Sequence, residues 1–148
     1  MTFTVYGLPQ PKGSMKYIGH HGGKPRLKST SKGLPAWDEA VYDHAVKACG
    51  TTPAPFFPGP VRVRIVFTMP KPASSPKSRL YPDTKPDIDK LARAVLDSMK
   101  RAGVYVDDSR VCSLIADKRF PLDPLPITRY NAWELLDRPG TVITVVAL

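Results

Sequence analysis

Polar and apolar side chains alternate from Thr2 to Tyr6, several of them β-branched or aromatic, and this predicts a strand. Between Pro35 and Cys49 the period changes: Trp37, Val41, Ala45 and Ala48 recur at helical spacing, and Gly50 follows as a stop. Asp38, Glu39 and Asp43 lie toward the start of that helix, where its dipole favours carboxylates. Alternation returns at Val61 to Met69, with Val61, Val63 and Ile65 on one face and Arg62 and Arg64 on the other. A second helix is predicted from Pro86, suited to a first helical position, to about Arg101. Its apolar face is Ile88, Leu91, Ala92, Val95 and Met99, and Gly103 ends it. Val111 to Phe120 and Thr141 to Leu148 read as two further strands.

The connections are proline-rich, and the 17 prolines fall mostly between these elements, where a fixed φ and a missing donor do no harm. Gly7 to Lys32 reads as a long basic loop with a hairpin embedded around His20 to Gly23. A loop of that length points to a functional role. Pro70 to Thr84 lacks any apolar period and reads as a second basic loop. Pro121 to Pro139 is ambiguous, with a short helical turn at Trp133 to Leu136. The order strand, helix, strand, helix, strand, strand predicts one α+β domain over residues 1–148, with a mixed or antiparallel sheet and two main helices. A chain of 148 residues is long enough to bury its own core.

Charge adds the first functional information. Residues 1–79 carry twelve Lys or Arg against three Asp or Glu, whereas residues 80–148 carry ten of each. The whole formal net charge of +9 therefore belongs to the first half. Such one-sidedness suits a polyanionic partner, with nucleic acid first among them, and on charge alone suits a merely soluble basic surface equally well. Cys49 and Cys112 are far apart and lack CxxC spacing, which speaks against a disulfide framework or a zinc site and fits a reducing cytoplasm. No apolar run approaches the roughly 20 residues of a membrane span, and the N-terminus lacks the apolar stretch of a secretory signal. His20-His21 is read as an exposed hairpin tip, not as a metal site, and His44 as structural.

Six of the thirteen acidic residues lie between positions 83 and 108, and all six are Asp. Asp87 and Asp89 flank one apolar residue at a helix start. One carboxylate there serves as a cap; two exceed what capping requires. Asp89, Arg93 and Asp97 follow at i, i+4 and i+8, either as a surface ion-pair ladder or as a cation beside a carboxylate site. Asp107-Asp108 comes one helix length later, where a chain turning at Gly103 would return toward the Asp87 end. Adjacent like charges destabilise a fold unless something neutralises them. Mg²⁺ takes hard oxygen ligands, commonly one or two carboxylates with water and phosphate. An acidic pocket in a basic protein is the pattern expected of a metal-dependent phosphodiester hydrolase.

The stretch from Lys85 to Val111, KPDIDKLARAVLDSMKRAGVYVDDSRV, resembles the RusA family of Holliday-junction resolvases. Its motif is a D-x-D pair opening a helix, then L-D, a glycine, and a hydrophobic stretch ending in D-D. The opening Gly7-Leu8-Pro9-Gln10-Pro11-Lys12-Gly13 is similar to the G-x-P-x-P-K-G start of phage-type members. The resemblance implies a cytoplasmic homodimer that binds four-way DNA junctions and, with Mg²⁺ or Mn²⁺, nicks two strands symmetrically. It carries catalytic roles onto Asp87, Asp89 and Asp108, with Asp107 beside them as a fourth metal ligand. Asp97 falls at the L-D position, where a structural carboxylate paired with Lys100, Arg101 or Arg93 is the alternative. The family's Asn and Lys after D-x-D are replaced by Lys90 and Arg93. Arg93 keeps the charge and can bind phosphate, but a guanidinium stays charged and does not serve in proton transfer. Lys90 offers an ammonium one turn earlier. Lys12, Lys16, Lys24, Arg26, Lys28, Lys71, Lys77 and Arg79 are the expected phosphate-backbone contacts, with Tyr17 or Tyr81 available to stack on an unpaired base. Two other functions compete: a non-catalytic DNA-binding protein retaining the fold, and a phosphoesterase of small nucleotides or RNA.

Overall fold

The computed structural model describes residues 1–13, 15–29, 31–50, 53–121 and 134–148, with side chains at all but 15–18 and 25–29. Along the chain run β1 (Thr2–Tyr6), β2 (Met15–His21), β3 (Lys24–Ser29), α1 (Leu34–Cys49), β4 (Val61–Thr68), α2 (Ile88–Arg101), a 3-10 turn (Asp108–Arg110), β5 (Val111–Arg119) and β6 (Gly140–Ala147). The main sheet has the order β1-β6-β4-β5. Its β1–β6 and β4–β6 pairs are antiparallel and its β4–β5 pair is parallel. The expected single α+β domain with a mixed sheet and two helices is thus the observed one.

Parallel pairing of β4 and β5 requires a crossover, and α2 is that crossover. Helix α1 lies beside it on the same core. Trp37, Val41, Ala45 and Cys49 come from α1; Leu91, Ala92, Ala94, Val95 and Met99 come from α2. They cover Val61, Val63, Ile65 and Phe67 of β4 and Ile143 and Val145 of β6. Full burial of each large aliphatic or aromatic side chain stabilises the fold by about 1.5–3 kcal/mol. The polar edges of the two helices are tied as well. Arg101 reaches Glu39 at 3.0 Å and Asp38 at 3.3 Å, and Ser98 donates to Asp38. Asp38 and Glu39 therefore anchor α2; the first turn of α1 carries no acidic residue, because the helix starts at Leu34, so their role is this anchoring and not the dipole placement expected from sequence.

Residues 15–29, read as loop with a small hairpin, are largely hairpin: β2 pairs with β3 from Met15↔Ser29 to His21↔Lys24. Its two-residue turn is Gly22-Gly23, both at positive φ, as a turn matching the strand twist requires. His20 and His21 are exposed beside it, as expected. Both cysteines are free, Cys49 buried and Cys112 exposed. His44 Nδ1 lies 2.7 Å from the Ala40 carbonyl within α1, a local contact. The segment 122–133 lies outside the described residues, so the helical turn expected from Trp133 is described only from Glu134 onward. Among the described residues no helix is long and apolar enough to cross a membrane.

Candidate active site

The site is built on α2 and the chain that leaves it. Pro86, expected as the first helical residue, stands outside: the N-cap is Asp87, in an extended conformation at φ −70° and ψ 139°. An N-cap aspartate ordinarily accepts from a backbone amide of the first turn. Asp87 makes no such bond; its Oδ2 accepts from Lys90 Nζ at 2.7 Å. That ammonium, with Lys85 and Lys118 as weaker contributors, holds the Asp87 carboxyl below the usual range and is itself pushed up. Asp89 is exposed two residues on, and Arg93 is exposed one turn further along α2.

At the other end, α2 closes in a Schellman arrangement: Gly103 N–H donates to Lys100 and Val104 N–H to Met99. Gly103 has φ +74°, and a Cβ there would stand 2.7 Å from Ala54 Cβ. The chain then folds back onto the helix. Tyr105 is buried and donates its hydroxyl to the Leu96 carbonyl at 3.0 Å. This return sets where Asp107 and Asp108 land. Asp107 pairs with Lys100 at 2.5 Å and accepts from Ser109 N–H, and its carboxyl is depressed to about 2, chiefly by the Lys100 bond. Asp108 moves the other way. Burial pushes its carboxyl up, and Asp97, within hydrogen-bonding reach, pushes it further. Asp108 Oδ1 is buried and finds no hydrogen-bond partner among the described residues.

The expected return of Asp107-Asp108 toward the Asp87 end is therefore shorter than read from sequence. The charges that act most on Asp108 are those of Asp97, Lys100 and Asp107. The reason is reach. Five residues of extended chain beyond Gly103 span at most about 17 Å, while the helix from Ala102 back to Asp87 measures about 22 Å at 1.5 Å per residue. Two carboxylate centres result, Asp87 with Lys90 at the head of α2 and Asp97 with Asp107 and Asp108 further along. Among the described residues, no three His, Cys, Asp or Glu side chains form a group that could hold a metal ion.

The N-terminal loop completes the second centre. Lys12 N–H donates to the Lys90 carbonyl at 2.9 Å, and Lys12 Nζ pairs with Asp97 Oδ2 at 2.8 Å. Gly13 adopts φ +115°, and a Cβ there would approach Arg93 Nη1 to 3.5 Å. Lys12, expected to hold the DNA backbone, is thus also the counter-ion of the acidic pair. Asp97 has Lys12 as its ion-pair partner, not the Lys100, Arg101 or Arg93 considered from sequence. Of the other expected DNA contacts, Lys24 and Lys77 are exposed. Lys71 donates to the Arg79 carbonyl and Arg79 pairs with Asp83 at 3.4 Å. The side chains of Lys16, Tyr17, Arg26 and Lys28 lie outside the described residues. Tyr81 is exposed with the Arg119 guanidinium 5.0 Å over its ring.

A basic α+β domain whose crossover helix carries the acidic residues has the makings of a nucleic-acid-cleaving protein. Comparison with known families agrees. The model of the family "Endodeoxyribonuclease RusA" matches residues 8–128. The chain belongs to the RusA endodeoxyribonuclease family, a family of nucleases. It is also similar to "Uncharacterized protein YqaN" of Bacillus subtilis (strain 168), at 31% identity over 136 residues, covering 82% of this chain and 89% of that protein.

Proposed function

We propose that the chain is a Mg²⁺- or Mn²⁺-dependent endodeoxyribonuclease that resolves Holliday junctions by symmetric cleavage, acting as a homodimer. The observation that carries this reading is the state of Asp108: a buried, unpartnered carboxylate oxygen beside a second carboxylate. Two like charges at that range call for a proton or a cation between them. Asp97 and Asp108 would hold the ion, and two carboxylates with water and phosphate match what Mg²⁺ takes. A bound ion of this kind lowers the pKa of its water and offsets charge on the cleaved phosphate. Lys12 and Arg93 stand over the same face of α2, where they orient the phosphate and spread its charge. Asp87 and Asp89 line the strand's path toward the helix start, with Lys90 and Lys118 balancing Asp87.

Support for a second copy comes from β5, the sheet edge, where Leu114 and Ile115 are exposed, with exposed Val106 just before it. An apolar edge strand of this kind is ordinarily covered. The one-sided +9 charge supports a polymer substrate over a free nucleotide.

The test is cleavage of an end-labelled synthetic four-way junction with Mg²⁺, by wild type and by Asp108→Asn, with duplex, single-stranded DNA and RNA as competitors. Paired nicks by wild type alone, competed least by duplex, support the reading. Equal cleavage by both proteins removes Asp108 from the mechanism, and binding without cleavage by either leaves a DNA-binding protein.

A further inference from the structure

Beside the Asp87 centre lies a cavity of about 540 Å³ that no part of the cleavage chemistry requires. That size falls within the roughly 300–1,000 Å³ of small-ligand sites. Leu8, Met69, Pro70, Pro82 and Phe120 give it apolar walls, and Arg79, Lys85 and Lys90 bring three cations to it. One carboxylate joins them, that of Asp87.

The walls are braced from outside. Lys118 Nζ donates to the carbonyls of Thr84 at 2.8 Å and Pro86 at 3.0 Å, which fixes one side. Lys71 donates to the Arg79 carbonyl at 3.2 Å and stands 5.1 Å over the Phe120 ring, which fixes the other. Gln10 is held in the lining by both ends of its amide: Nε2 donates to Leu8 O at 3.3 Å and Oε1 accepts from Ser31 Oγ at 2.5 Å. Its side chain packs over Gly33, where a Cβ would approach it to 2.9 Å. Apolar walls, a fixed amide and cations in the lining suit a flat heteroaromatic ring joined to a phosphate.

We propose that this cavity receives one deoxynucleotide extruded from the DNA strand, its base between the apolar walls and its phosphate toward Lys85 and Lys90. Extrusion costs least where a base is already weakly held, and at the point of strand exchange of a four-way junction the helical stack is interrupted. The pocket thereby favours DNA that can release a base beside the Asp87 centre, and duplex, whose bases are stacked on both sides, binds it less readily. The proposal rests on the endonuclease reading for the identity of the strand, but not on cleavage itself.

The test is therefore a binding experiment in EDTA. A four-way junction carries 2-aminopurine, one position at a time, around the point of strand exchange, and each is titrated with wild type, Leu8→Trp and Leu8→Ala. Leu8 is half exposed, so both variants fold, and the indole fills the mouth of the cavity. Fluorescence is expected to rise severalfold at one position with wild type and Leu8→Ala, and to lose most of that rise with Leu8→Trp. Junction affinity should change less than about threefold, since backbone contacts carry it. No rise at any position, or a rise unchanged in Leu8→Trp, overturns the proposal. In a second arm, a deoxynucleoside monophosphate is added to labelled protein without DNA. If it shifts the Leu8 and Phe120 resonances while no junction position brightens, the pocket serves a free nucleotide and extrusion is overturned. Junction cleavage by a wild type that shows no fluorescence rise would overturn the pocket alone and leave the endonuclease reading standing.

Discussion

Lys12 Nζ stands 2.8 Å from Asp97 Oδ2, joining the first basic loop to the middle of the crossover helix. Both side chains are partly exposed, at 42% and 28%, so the pair contributes little to stability, about 0–1 kcal/mol. Its effect on the reaction is expected to be larger, because the ammonium stands where a phosphate must approach the acidic pair. A charge-assisted hydrogen bond is worth about 1.5–3 kcal/mol, or roughly tenfold to a hundredfold in rate. Lys12→Met is expected to lower the single-turnover rate of junction cleavage by that factor while leaving the melting temperature within a degree or two. A rate within twofold of wild type would show that Lys12 serves affinity alone.

Asp108 is expected to trade stability for function. Burial and Asp97 raise its pKa in the folded chain, so its ionised form is disfavoured by folding at neutral pH. Asp108→Asn removes the repulsion and supplies an amide that can donate to Asp97. In EDTA, calorimetry should show the variant melting a few degrees above wild type, at about 2–4 °C per kcal/mol for a chain of this size. Junction cleavage should be lost. A variant that melts lower would mean that the Asp108 carboxylate stabilises the metal-free fold.

The apolar period located both helices and every strand of the main sheet within about two residues, because core-facing positions such as Val41 and Val63 are fixed by burial. The D-x-D and D-D motifs lie at the head of α2 and on the chain that leaves it. Which carboxylates meet was not legible, because it depends on how far the chain travels after Gly103, and that distance is set by packing of Val104 and Tyr105 against α2. Nor did the sequence show Lys12 reaching Asp97, since the contact depends on the backbone bond from Lys12 to Lys90. The β2–β3 hairpin was underestimated because its residues lack a clean apolar alternation; the Gly22-Gly23 pair was the signal that could have extended it.

Opposite pKa shifts in neighbouring carboxyls predict a two-sided response of the metal-free protein to acid. Asp108, raised when folded, binds its proton more tightly than in the unfolded chain, so lowering the pH through its folded pKa adds stability. Asp107 and Asp87 are depressed, so their contribution is present above the unfolded value near 3.8 and is lost as pH falls below it, for Asp107 toward about 2. Melting temperature in EDTA, followed from pH 8 downward, should carry a rising component before the final decline. Asp108→Asn should remove the rise, and Lys100→Met should soften the decline. A wild-type curve that falls without a rise would contradict the environment assigned to Asp108.

Divalent metal is expected to stabilise the fold through the same two carboxylates. A ligand that binds only the folded chain adds about 2.7 kcal/mol at a hundred times its dissociation constant. Titration with Mg²⁺ or Mn²⁺ should raise the melting temperature of wild type by several degrees, with Ca²⁺ and Na⁺ as comparisons at matched ionic strength. Asp97→Asn and Asp108→Asn should each abolish most of the rise. Asp87→Asn should leave it largely intact, since Asp87 pairs with Lys90 at the head of α2 while the charges that act most on Asp108 are Asp97, Lys100 and Asp107. Loss of the rise in Asp87→Asn to the same extent would mean that the two carboxylate centres meet around the ion, through movement of the helix start or through the second copy. That outcome would restore the single ligand set of Asp87, Asp89, Asp107 and Asp108 that the motifs alone suggest.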